Sequence, residues 1–513
     1  MTAKCIMVQG TGSSVGKSRL VTGLCRVFKQ DGFKVAPFKS QNMALNSYIT
    51  KEGLEMGRAQ ATQAEACGIE PSVFMNPVLL KPYTDTSSQV VVKGRPFGSL
   101  SAMDYHDYKV KLLHVVKECY DELARDNDII VIEGAGSPAE INLREKDIVN
   151  MGMAELVDAP VVLVGDIDRG GVFAALAGTL LLLSEEEKAR VKGVIINKFR
   201  GDLKLLEPGL EMLEDIIKRP VIGVVPYTDI YIDEEDSPET ERYRLLKKYK
   251  VESNESLQQK PLQVKILSLP RITNFTDFVP LAEFEGVKIS YVSVGPIEDA
   301  DLLIIPGSEN PKESIEFIKS RGWDKDINRL YHKGAVVLGI GSSFALLGKT
   351  FKTTSSDSTI EGLGLFGVHI KLLPQEPTRV KGEVASSLPD FASILSKAQL
   401  EGYRIYSGEI IKEDEGNIEF IKFKSKGHVD FDGLISQTGR VLGTFIHGIF
   451  DNTDFTQQFI NYLVSKRLND SIIFETHSFN FKNYKEAEYD RWADVVRNSL
   501  DIDMLYRIMG IKE

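Results

Sequence analysis

Residues 10–18 read GTGSSVGKS, the pattern of a loop that cradles a polyphosphate. Gly10, Thr11, Gly12, Ser13, Ser14, Val15 and Gly16 form the turn, and Lys17 and Ser18 follow it. Glycines let the backbone turn tightly and aim N–H groups at phosphate oxygens, and a following helix adds its positive end. In such a loop the lysine neutralises the β- and γ-phosphates of ATP and the serine offers a hydroxyl to Mg2+. Five residues separate Gly10 from Gly16, where four is common, and Thr11 stands where a glycine is usual.

Other residues have the types needed to place a phosphoryl group on a carboxylate. Donor and acceptor are both anions, so cations must sit between them. Lys39 is a candidate to reach an acceptor carboxylate, and Gln41, Asn42, Asn46 and Gln60 form a polar series unusual for a packed core. Glu133 closes an apolar run and is followed by Gly134, Ala135 and Gly136. A carboxylate there suits a Mg2+ ligand beside the phosphate loop, or else a solvated or capping glutamate. Asp166 follows another apolar run and is a candidate to hold metal or water, with Asp168 and Arg169 next in line. Asn197-Lys198 reads either as a base-recognition element or as a plain strand-to-loop turn.

These residues must be carried by a sheet. Short apolar runs at 5–8, 34–36, 129–132, 161–164, 194–196 and 222–225 alternate with helical patterns. After the loop, Leu20, Val21, Leu24, Val27 and Phe28 have the spacing of a helix with one buried face. Such alternation predicts a parallel α/β sheet that binds ligands at the carboxyl ends of its strands. The acidic stretch 233–241 and the polar stretch 253–261 mark a boundary, with a synthetase domain at 1–228 and a linker at 229–262. A second α/β domain then spans 263–513, with strands at 264–269, 287–292, 302–305 and 335–338 and a helical tail from about 454.

A formal net charge of −11 argues against a partner held through nucleic-acid phosphates. No apolar run reaches about 18 residues, so no membrane partner is expected, and residues 174–183 read as a core helix. Residues 1–8 lead straight into the first strand, which favours a cytoplasmic chain without a leader. The four cysteines, Cys5, Cys25, Cys67 and Cys119, lack metal-ligand spacing, and disulfides are not expected.

Beyond the loop, longer segments carry a resemblance. PFKSQNMALNS (37–47), GRAQATQAEA (57–66), MNPVLLKP (75–82), EGAGSPAEINL (133–143), DIVNMGMA (147–154), GDIDRGGVF (165–173) and NKFRGD (197–202) closely resemble the cobyric acid synthase family. PRITNFTDF (270–278), LLIIPGSEN (302–310) and GTFIHGIFDN (443–452) continue the likeness through the second half. The loop spacing is similar to that of dethiobiotin synthetase, from the same ATPase superfamily. The resemblance implies a dethiobiotin-synthetase-like P-loop ATPase domain followed by a class I glutamine amidotransferase-like domain. It also implies ATP-dependent amidation of the b, d, e and g carboxylates of a corrinoid, adenosylcobyrinic acid a,c-diamide, with ammonia or glutamine as nitrogen source. An amidoligase for another polycarboxylate and a nucleotide switch are the alternatives.

The second half departs from the family where glutamine would be hydrolysed. A family segment like GICGGYQMLG reads GIGSSFALLG here (339–348), so Gly341 takes the place of the cysteine nucleophile. Glycine has no side chain with which to attack an amide. Ala345, Arg404, Tyr406 and Glu309 stand where the family has Gln, Glu, His and Lys, while His447 keeps the base position and Gly307 the oxyanion turn. These changes predict a chain that takes free ammonia, or ammonia from an external glutaminase partner.

Overall fold

The computed structural model describes residues 3–82, 86–233, 261–284, 286–353, 356–413, 416–425, 427–468 and 479–512. It divides into two compact units. One comprises Met1–Ala44, Leu54–Asp236 and Lys485–Glu513; the other comprises Leu45–Gly53 and Ser237–Tyr484.

The first unit is built on six largely apolar strands, buried except at the half-exposed edge strand Val221–Pro226 and at some strand ends. Their order is Val221–Pro226, Val191–Phe199, Val161–Asp166, Lys4–Gly10, Ile129–Glu133 and Val35–Phe38, all parallel. Burial on both faces is what a parallel sheet requires of Val- and Ile-rich strands. The six runs read from the sequence each fall on one of these strands. The central strand Lys4–Gly10 ends at the phosphate loop, and its register sets Val8 opposite Glu133. A second, four-stranded sheet, Gln41–Met43, Val78–Pro82, Ser87–Val92 and Arg95–Ser101, was not foreseen. Its residues mix polar and apolar types, so no clean period announces it.

The helix Lys17–Gln30 explains a difference in domain assignment. Every residue from Leu20 to Phe28 is buried, so one covered face is not enough. The second cover comes from the end of the chain. Trp492 and Val496 close over Gly23, where an added Cβ would lie 2.6 Å from Val496 and 2.8 Å from Trp492. Trp492 Nε1 donates to the Arg19 carbonyl at 2.6 Å, and Arg26 donates to Asp490 at 2.7 Å. Tyr489, Trp492, Ala493, Val496, Leu505 and Tyr506 share one core with Leu20, Leu24, Val27 and Phe28. The tail is helical, as expected (Thr453–Leu468, Phe481–Ser499, Ile502–Ile508), but 485–513 belongs to the first unit rather than to the second domain.

The proposed linker also changes. Ile230, Tyr231, Ile232 and Asp233 are buried in the first unit. Asp233 accepts from Arg58 at 3.1 Å and Thr62 at 3.0 Å. Most of the acidic and polar boundary, 234–260, lies outside the described residues.

In the second unit, Val287–Val292, Leu262–Leu267, Leu302–Ile305, Val336–Ile340 and Val441–Thr444 are neighbouring parallel strands. The sheet continues into a largely antiparallel extension containing the long pair Val368–Val384 and Gln399–Lys412. The four expected strands fall on the parallel part, while the extension went unread because its strands carry many exposed charges. Leu45–Gly53 joins this unit: Arg379 Nε donates to the Ile49 carbonyl at 2.9 Å, and Ser47 N donates to Asn274 at 3.0 Å. Among the described residues no helix is long and apolar enough to cross a membrane.

Because Trp492 is buried against the helix that follows the phosphate loop, Trp492→Ala should destabilise the first unit by roughly 3–5 kcal/mol. Urea unfolding followed at the first transition checks this; an unshifted midpoint would show that the tail is dispensable there.

Candidate functional site

The phosphate loop is shaped by close packing. Gly16 takes a left-handed φ of 95°, and a Cβ there would lie 2.2 Å from Asn197 Nδ2. That amide donates to the Val15 carbonyl at 2.8 Å, and Lys198 Nζ donates to the Ser14 carbonyl at 2.6 Å. The two side chains grip the carbonyl side of the turn. A Cβ on Gly12 would meet nothing within 4 Å, which leaves room for a ligand. Thr11 N donates to the Val164 carbonyl at 2.9 Å, anchoring the loop to the sheet. Ser13 and Ser14 are exposed and Val15 is buried. Lys17 donates to the carbonyls of Gly12 at 2.9 Å and Gly136 at 3.1 Å, so its ammonium is held over the loop.

Four side chains converge on Glu133, which is 1% exposed. Ser18 Oγ and Lys39 Nζ donate to Oε1 at 2.8 and 2.9 Å. Gln63 and Gln60 donate to Oε2 at 2.6 and 3.5 Å. Burial alone would push the carboxyl up; the Lys39 ammonium, with hydrogen bonds from Gln63 and Ser18, outweighs it and holds Glu133 below the usual carboxylate range. Among the described residues no group of three or more His, Cys, Asp or Glu side chains could ligate a metal. A cation here would have one carboxylate and the Ser18 hydroxyl, a donor set that fits Mg2+, which completes its shell with phosphates and water.

The other expected residues are distributed unevenly. Asn42 donates to Gln60 at 2.9 Å and so joins the Glu133 cluster, whereas Gln41 accepts from Tyr105 at 2.6 Å. Asn46 belongs to the second unit. Asp166 accepts from Lys198 at 2.9 Å and from Asp168 N at 2.9 Å, with Arg169 4.0 Å away. Through Lys198 it thus joins the loop clamp. Gln63 was missed as an individual residue, although its i, i+3 spacing from Gln60 on the helix Arg58–Cys67 is a usable signal.

In the second unit, the strand Val336–Ile340 ends at Gly341, which has a left-handed φ of 60°. This is the sharp strand-to-helix turn that presents a nucleophile in such folds. A Cβ at Gly341 would lie 2.4 Å from His447 Nε2. The imidazole occupies the space that a side chain at 341 would need. His447 Nδ1 is 2.7 Å from Asp277 Oδ2, and its ring stacks on Tyr403 at 5.6 Å. Asp277, which the sequence reading had passed over, therefore orients His447. The neighbouring hydroxyls are engaged elsewhere: Ser342 donates to the Ser308 carbonyl at 2.6 Å and Ser343 to that of Pro306 at 2.6 Å. Arg404 lies over Phe423 and is 3.4 Å from Asp432, whose burial pushes its carboxyl up despite the bonds from Thr444 and Arg404.

Comparison with known proteins assigns both halves. Residues 6–239 match the CobQ/CobB/MinD/ParA nucleotide binding domain, and residues 263–455 the CobB/CobQ-like glutamine amidotransferase domain. A cobyric acid synthase of Caldanaerobacter subterraneus subsp. tengcongensis is 52% identical over 512 residues, covering 98% of both chains. Those of a Thermoanaerobacter species and Clostridium botulinum are 50% and 47% identical, covering 98% and 99% of each chain. The chain belongs to the cobyric acid synthase family. It is an ATP-dependent ligase with a P-loop nucleotide-binding domain ahead of a glutamine amidotransferase domain. Within this cobyric acid synthase family member, the expected family and fold class both hold.

Two measurements probe these sites. Lys39→Met leaves Glu133 buried without its cation, a cost of about 3–5 kcal/mol at pH 7. In the wild type, the lowered carboxyl contributes stability fully above about pH 4.3, and this is lost as the pH falls through the folded-state value. The gap between wild type and variant in urea unfolding should therefore narrow in acid; a pH-independent gap contradicts the assignment. Separately, Gly341→Ala should destabilise the second unit by about 1–2 kcal/mol for its left-handed backbone alone, read as a lowered unfolding midpoint.

Proposed function

We propose that this ligase amidates the b, d, e and g carboxylates of adenosylcobyrinic acid a,c-diamide with ammonia, in cobalamin biosynthesis. The observation that carries the reading is the buried cluster of Ser18, Lys39 and Gln63 on Glu133, beside a complete phosphate loop. The family relationship supplies the corrinoid substrate and the amide product.

A carboxylate is a poor electrophile, so it must first be activated. Its oxygen attacks the γ-phosphorus of ATP, the bond to the β-phosphate oxygen breaks, and ADP leaves. Ammonia then attacks the acyl carbon, phosphate departs, and the nitrogen loses a proton to give the amide. The loop N–H groups and Lys17 take the phosphates and oppose charge on the leaving ADP. Lys39 provides positive charge between the anionic donor and acceptor. Ser18 and Glu133 would hold Mg2+, which supplies charge neutralisation at the phosphates. Asn42, tied to Gln60, lines the same polar cluster, and Gln41 and Asn46 remain candidate substrate contacts.

The second unit supports a reading of the nitrogen source. His447 and Asp277 form an oriented base pair, but Gly341 supplies no nucleophile and the imidazole fills its space. A base without a nucleophile cannot form the acyl-enzyme that glutamine hydrolysis needs. The chain therefore uses ammonia from solution or from another protein's glutaminase.

Incubating the purified chain with the a,c-diamide, ATP and Mg2+ should give stepwise amidation with ammonium chloride, faster at higher pH as free ammonia increases. Glutamine in its place should give none, by mass spectrometry of the corrinoid. Robust glutamine-dependent product would sink the ammonia reading, and no product with either would sink the ligase substrate.

A further inference from the structure

Arg200 and Tyr227 form a feature that the chemistry above does not use. They lie just beyond the carboxyl ends of the adjacent strands Val191–Phe199 and Val221–Pro226, the edge where a parallel sheet takes its ligand. Tyr227 N donates to the Phe199 carbonyl at 2.9 Å, which ties the two strand ends together. The Arg200 guanidinium carbon sits 3.4 Å above the centre of the Tyr227 ring, the spacing of two stacked planes. Arg200 Nε donates to Asp168 Oδ1 at 2.8 Å, which fixes the group along a second direction. Asp168 N is in turn bound to Asp166, and Asp166 to Lys198. Lys198 and Asn197 grip the phosphate loop. One continuous chain of contacts thus runs from the loop to a flat, braced cation.

A surface arginine gains little from such bracing, because exposed ion pairs contribute little and ordering a long side chain costs entropy. The bracing makes sense if the group must be presented as a plane. One face of the guanidinium rests on Tyr227, and the Arg200 side chain is 49% exposed. A planar, delocalised cation stacks well on an electron-rich ring, and purines stack on arginine planes as they do on aromatic ones. We infer that Arg200, braced by Tyr227 and Asp168, is the stacking platform for the purine ring of a nucleotide seated on the Gly10–Ser18 loop. This rests on the reading of that loop as an ATP site. It adds the determinant that separates a purine nucleotide from bare triphosphate.

The test measures binding of ATP, ADP and inorganic triphosphate to the full chain by calorimetry, and quenching of the fluorescent base of 1,N6-etheno-ADP. Arg200→Ala should weaken ATP and ADP roughly tenfold to a hundredfold, on the scale of one stacked base. It should leave triphosphate within about threefold and abolish the quenching. Arg200→Lys keeps the charge but not the plane, and should behave like Arg200→Ala. Tyr227→Leu should give the same loss in smaller measure. Equal weakening of ATP and triphosphate, rescued by Arg200→Lys, would make Arg200 a phosphate contact and overturn the proposal. Unchanged ATP affinity and quenching in all three variants would overturn it too. Failure of the wild type to bind either ATP or triphosphate would instead bring down the ATP reading beneath it.

Discussion

The active half of this chain is organised around one unfavourable fact: Glu133 is a carboxylate with almost no water. Removing such a group from solvent costs several kcal/mol unless charge and hydrogen bonds replace the lost hydration. The replacements are four side chains from three separated segments. The helix after the phosphate loop gives Ser18, the segment after the second strand gives Lys39, and the helix Arg58–Cys67 gives Gln60 and Gln63. Satisfying Glu133 therefore fixes these segments relative to one another. The register that pairs Val8 with Glu133 then places the cluster beside the loop. The electrostatic requirement and the proposed catalytic arrangement are the same set of contacts.

The second unit shows the opposite situation, a site whose central group is absent while its scaffold persists. The left-handed turn at Gly341, the pinned hydroxyls of Ser342 and Ser343, and the His447–Asp277 pair are all in place. Close packing does not tolerate an unfilled volume at low cost, and here the imidazole fills it. The His447 imidazole there contributes contact and a buried hydrogen bond to Asp277.

The sequence revealed features whose physics is local. The glycines of the loop, the apolar strands and Glu133 at a strand end are all short-range patterns, and they appear where expected. Features that depend on distant partners were hidden. Nothing near Trp492 shows that it belongs over Gly23, and nothing near Asp277 shows that it faces His447 across a long stretch of chain. Asn197 reads from sequence either as a base-recognition element or as a plain turn, and only the packed structure shows that its amide holds the loop. The antiparallel extension escaped notice because its strands face water and lack the continuous apolar runs of the central sheet.

The closing helices have a consequence for how the protein is made. The helix carrying Lys17 and Ser18 emerges from the ribosome long before its second cover, since 473 positions separate Arg19 from Trp492. At ordinary elongation rates that delay is on the order of tens of seconds. During it, one side of the nascent nucleotide-binding unit shows water the apolar surface later sealed by Trp492, Val496 and Tyr506. A chain terminated ahead of Trp492 would retain the Gly10–Ser18 loop and still lack the lid on its own core. Sealing that core with so distant a segment makes synthesis through Tyr506 a condition for a finished nucleotide-binding unit.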